Sequence, residues 1–117
     1  MPDPPRGRTL GRMSDLHTAV TTTAEAAQRL AADLPDLLER RGWTVGTAES
    51  LTGGTVASVL AAAPSAQDWL RGAVVAYTPE VKFGLLGVPE GPVVTEECAR
   101  TMATTTARLL GADLVVA

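Results

Sequence analysis

The chain has 117 residues, 45% of them hydrophobic and 20% charged, with a formal net charge of −3 at pH 7. That length holds one domain. The acidic balance lacks the basic stripe of a nucleic-acid surface, and no apolar run approaches the ~20 residues of a membrane helix. Cys98 is the single cysteine and His17 the single histidine, which excludes an intrachain disulfide, a cysteine cluster and a His-rich metal site. The N-terminus lacks the apolar core of a signal peptide. A soluble, cytoplasmic protein with no metal, no cofactor, no nucleic-acid partner and no membrane partner is expected.

Residues 1–13 open on a run rich in Pro, Arg and Gly without apolar periodicity. They are set apart as a disordered tail, and residues 14–117 form the domain. From Leu16 to Arg41, Val20, Ala24, Ala27, Leu30, Leu34, Leu37 and Leu38 recur at helical spacing. Pro35 predicts a kink or restart. Gly42 predicts the end, with Arg40 and Arg41 in the last turn. Residues 44–48 read as a strand, Gly53 and Gly54 as a turn, and residues 55–63 as a helix. Gln67 to Leu70 read as a single turn.

Residues 71–77 (RGAVVAY) read as a buried parallel strand, because their centre is continuously apolar. Pro79 starts a short helix that Gly87 ends. Thr95 caps a helix over 96–110, with Glu96 and Glu97 in its first turn. Residues 113–117 (DLVVA) form a last strand. This order predicts an α/β fold, a layered sandwich with a largely parallel sheet flanked by helices. The sheet is expected to be incomplete at its C-terminal end. Cys98, Trp43 and Trp69 read as packing residues.

Lys82 is the only lysine among ten basic residues. Arginine stays protonated near neutral pH, whereas a desolvated lysine can act as a base. Ser50 stands where a strand meets a glycine turn, and Tyr77 ends the next strand. In a parallel sheet both lie at the ligand-binding ends of strands. Ser50 as nucleophile, Lys82 as base and Tyr77 as an orienting hydroxyl form the candidate catalytic set. The blander roles stay open: a helix cap for Ser50, a solvated helix residue for Lys82, a strand-end aromatic for Tyr77.

Thr52, Gly53 and Gly54 are the expected donors for an anion at a helix N-terminus, phosphate or oxyanion. A turn that needs glycine for its own geometry is the alternative. Glu49 points away from Ser50 if strand geometry persists. Arg71 is expected near Lys82. Glu49, Thr52, Gly53, Gly54 and Arg71 make up the substrate-binding set.

The blocks TAESLTGG, WLRGAVVAYTPEVKFGLLGV and PVVTEECARTMA…GADLVVA resemble the CinA C-terminal domain family. Its free-standing members are nicotinamide-nucleotide amidases. The resemblance runs from about Ala27 to Ala117. It implies an α/β fold and hydrolysis of nicotinamide mononucleotide to nicotinate mononucleotide and ammonia, in pyridine nucleotide salvage. Ser50 and Lys82 would be its catalytic pair, Tyr77 would assist, and no metal would take part. A small-molecule nucleotide substrate and assembly into a homo-oligomer are expected. Leu51 stands where the family usually has cysteine. The family strand that matches DLVVA leads into a Thr-Gly loop of the substrate pocket, and that loop lies past the part this chain matches. A catalytically inactive nucleotide-binding remnant of the family is the alternative.

Overall fold

The computed structural model describes residues 13–117, apart from the side chains of Met13, Leu16, His17 and residues 19–22. The tail assignment, except for Met13, falls outside the described residues. Helix α1 runs over Met13–Ala31 and α2 over Leu34–Arg41. Pro35 sits in the first turn of α2, where its missing N–H costs no hydrogen bond. The proline thus restarts the helix rather than kinking it. Gly42 ends α2 in the left-handed conformation at φ 65°, as its sequence position predicts.

Strand β1 (Val45–Glu49) is followed by α3 (Thr55–Ala61), α4 (Ala66–Trp69) and β2 (Leu70–Val75). Helix α5 (Pro79–Leu86), α6 (Glu96–Leu110) and β3 (Leu114–Val116) complete the order. The three strands form one parallel sheet in the order β2-β1-β3. Each strand returns through helices, as a parallel connection requires.

Alternation along β1 sorts its side chains between two layers. Val45 joins Ala31, Leu38, Leu60, Ala66 and Trp69 in the core under α1–α4. Ala48 joins Ala76, Leu86, Val88, Cys98 and Met102 under α5 and α6. Leu86 is completely buried, and such a side chain contributes about 2–3 kcal/mol by leaving water. Gly46 faces α6 so closely that a Cβ there would lie 2.7 Å from Leu110 Cδ1. Small size at position 46 therefore sets how near α6 lies to the sheet.

All five residues of β1 are buried, whereas every second residue of β2 is exposed. This corrects the reading of RGAVVAY as a buried strand. An apolar run reports compatibility with burial, but the neighbours decide, and β2 is an edge. Its strand also stops at Val75, so Tyr77 lies past the end. Val45 pairs with Leu70 and Gly46 with Gly72, which leaves Arg71 as the extra residue of a bulge. At the start of β3, the Asp113 carboxylate accepts from the Thr44 N–H and hydroxyl at 2.8 and 3.1 Å. That pair ties β3 to the entry of β1. Thr95 caps α6 by accepting from the Cys98 N–H at 3.1 Å, as predicted.

Candidate active site

The C-terminal ends of β1 and β2 deliver the chemistry-bearing residues to one side of the sheet. Ser50 follows Glu49 directly, and its parity places it with Ala48 on the α6 side. Ser50 and Lys82 both line a cavity of about 480 Å³, together with Leu51, Thr95, Glu96 and Met102. Lys82 is only 4% exposed, and its Nζ donates to the Tyr77 carbonyl oxygen at 3.3 Å. The lysine of α5 is thus a buried group and not a solvated one. Its Nζ is held at the turn that leaves β2.

The tyrosine enters this geometry through its main chain. Tyr77 is 61% exposed and is not among the residues that line the cavity. The expected orienting hydroxyl is therefore replaced, in this structure, by a carbonyl.

Arg71 lies at the opposite end of β2. Its Nε donates to the Leu110 carbonyl at 3.0 Å, one of the carbonyls that a helix C-terminus leaves without an intrahelical partner. Four residues of strand, roughly 13 Å, separate it from Val75. The expectation that Arg71 sits beside Lys82 is corrected: the bulge turns Arg71 toward the end of α6.

The glycine turn is built around Glu49. The residue is 4% exposed. Its Oε1 accepts from the Thr52 hydroxyl at 2.8 Å, the Gly54 N–H at 3.2 Å and the Val56 N–H at 2.9 Å. Its Oε2 accepts from the Thr47 hydroxyl at 3.0 Å and the Ala57 N–H at 2.9 Å. The N-terminus of α3 thus already holds an anion, the chain's own. Gly53 donates its N–H to the Ser50 carbonyl at 2.9 Å. The amides of Gly53 and Gly54, expected to face a ligand, are spent inside the chain. Gly54 adopts φ 103°, so its glycine serves the turn's own backbone.

Burial is the largest single influence on the Glu49 carboxyl and would push its pKa up. Hydrogen bonds from the Ala57 N–H, the Thr52 hydroxyl, the Val56 N–H and the Thr47 hydroxyl together outweigh it and hold the group below its ordinary value.

The wall contributed by Val93, Val94, Thr95, Glu96 and Met102 had no counterpart in the sequence reading. Thr95 stood out only as a cap, and nothing local to residues 93–102 signals that they face Ser50. Among the described residues, no group of three or more His, Cys, Asp and Glu side chains is arranged to hold a metal. Nor is any described helix long and apolar enough to cross a membrane.

A parallel α/β sandwich with a serine and a buried lysine on one cavity at its strand ends defines the class. The family profile of the CinA C-terminal domain matches residues 27–117, and the chain belongs to that family. It is 45% identical over 89 residues to a CinA-like protein of Gloeobacter violaceus, covering 72% of this chain and 21% of that protein. Identity to a CinA-like protein of Prochlorococcus marinus is 40% over 95 residues, covering 77% and 22%. Among solved structures, a competence damage-inducible protein of Klebsiella pneumoniae superposes with a TM-score of 0.72 at 32% identity, over 76% of this chain and 58% of that one. A CinA superfamily protein of Escherichia coli superposes with a TM-score of 0.73 at 30% identity, over 76% and 55%. The chain thus spans about a fifth of the length of these curated relatives and rather more than half of the solved structures.

Proposed function

We infer that the chain carries the serine–lysine site of an amidohydrolase whose substrate is the carboxamide of nicotinamide mononucleotide. The observation that carries the reading is that Ser50 and the buried Lys82 line one cavity. Family membership supports it.

Ser50 Oγ attacks the carboxamide carbon while the Lys82 amine takes the hydroxyl proton. The tetrahedral intermediate collapses as Lys82 returns that proton to the leaving nitrogen, and ammonia departs. Water then attacks the acyl-serine, with Lys82 again receiving a proton. The second tetrahedral intermediate collapses as Lys82 passes that proton to Ser50 Oγ, and nicotinate mononucleotide leaves. The cavity is largely apolar apart from Ser50, Lys82, Thr95 and Glu96, which suits the flat pyridine ring. Phosphate recognition falls elsewhere than the amides of Gly53 and Gly54, since Ser50 and Glu49 hold those.

That occupancy also weakens the reading of a non-catalytic phosphate-binding module, which needs free amides at the glycine turn. Ammonia release from nicotinamide mononucleotide, measured beside calorimetric binding, tests the two together. Release by the wild-type chain that Ser50→Ala abolishes is the expected result. Binding without release in the wild type would favour the module.

A further inference from the structure

Glu49 takes no part in the proton transfers above, yet it is the most completely engaged polar side chain of the site. Five donors converge on it, and among the described residues no cation pairs with it. The two oxygens divide the work. Oε1 gathers the Thr52 hydroxyl and the Gly54 N–H, both in the turn that carries Ser50, along with the Val56 N–H. Oε2 takes the Thr47 hydroxyl, in the middle of β1, and the Ala57 N–H. The main chain is fixed on both sides of the serine as well. The Glu49 carbonyl accepts from the Ala76 N–H at 2.8 Å, and the Ser50 carbonyl accepts from the Gly53 N–H at 2.9 Å.

We propose that Glu49 is a positioning residue for Ser50, a fixed internal anion whose Oε1 locks the turn of residues 50–54 so that the serine hydroxyl faces the Lys82 cavity. The proposal rests on the serine–lysine reading for its kinetic consequence, but the lock itself is a property of the turn. A carboxylate is suited to it because both oxygens only accept, and all five neighbours donate. Glutamine would present an NH2 to donors on one side, and aspartate lacks the reach of the extra methylene. The remaining freedom of the turn lies in Gly53 and Gly54, both at positive φ. Without the lock, those two residues would let the serine swing.

Two isosteric variants separate positioning from a general structural role. Thr52→Val and Thr47→Val each remove one hydroxyl donor from the same carboxylate, but only Thr52 belongs to the turn. The readout is the rate at which a fluorophosphonate phosphonylates Ser50 in the full chain, with loss of fluoride, and the unfolding temperature is measured alongside. Thr52→Val is expected to slow labelling about tenfold or more while Thr47→Val stays within about twofold of wild type, since small misplacements of a reacting group are costly. Equal labelling of both variants, slowed or unslowed, overturns the proposal. If wild-type Ser50 takes no label, the hydrolase reading fails and amide hydrogen exchange decides the lock. Faster exchange at Gly54 and Val56 in Thr52→Val than in Thr47→Val supports it, and equal exchange overturns it.

Discussion

Lys82 Nζ donates to the carbonyl oxygen of Tyr77 across 3.3 Å, so α5 carries its amine back to the exit of β2. The residue is almost completely buried, and it lines a cavity that Ser50 also lines. Lys82→Met keeps the length of the stem and removes the amine. The Tyr77 carbonyl loses one partner, at a cost of about 1 kcal/mol. The variant is expected to fold, with its unfolding temperature lowered by a few degrees. Its Ser50 is expected to take a fluorophosphonate label at a small fraction of the wild-type rate.

The Glu49 carboxylate sets a pH dependence of stability. Its folded pKa lies below the ordinary value. The unfolded chain therefore binds the proton more readily, and stability rises with pH across that window. The contribution is fully present above the ordinary carboxylate range and is lost as the pH falls through the lowered folded value. Glu49→Gln is expected to lose about 2 kcal/mol near neutral pH, because buried donors are left facing an NH2. The gap between wild type and variant, read from chemical denaturation, is expected to narrow as the pH drops below about 4. A gap that widens toward acid would contradict the assignment.

Gly46 sets the distance between α6 and the sheet. Gly46→Ala places a methyl group 2.7 Å from Leu110 Cδ1 and 3.4 Å from the Gly72 carbonyl. Overpacking of this kind costs about 1–3 kcal/mol. Part of the strain falls on a movable side chain, so Leu110→Ala in the same molecule is expected to recover some of it. The check is a double-mutant cycle by denaturation, with a favourable coupling of about 0.5 kcal/mol or more.

Arg71 serves the end of α6. Arg71→Ala removes the hydrogen bond to the Leu110 carbonyl and is expected to cost about 0.5–1 kcal/mol. Affinity for nicotinamide mononucleotide, measured by calorimetry, is expected to stay at the wild-type value. A marked loss of binding would bring Arg71 back to the substrate.

Much of this architecture is legible in the chain itself, for local reasons. Gly42, Gly87 and Gly111 all adopt left-handed φ just past their helices, and Thr95 caps α6. These signals depend on neighbours within a turn or two. Strand parity, which turns Glu49 away from Ser50, is local too, and the structure agrees with it. What Glu49 meets on its own side is set by the path of α3, which no spacing rule supplies. The exposure of β2 escapes the sequence because Ala73 and Val75 suit a covered or an open face equally. Arg71 misleads because a bulge rotates it, and a bulge leaves little trace beyond Gly72. Residues 93–102 reach the cavity only through the packing of α6 on the sheet.

The rate of ammonia release from nicotinamide mononucleotide by Lys82→Arg bears most directly on the pairing of Ser50 with Lys82. Arginine keeps the positive charge and the long stem but cannot accept the serine proton. A fall of about 10²–10⁴-fold in this rate is expected, with nucleotide binding retained. An arginine variant that releases ammonia at the wild-type rate would contradict the pairing.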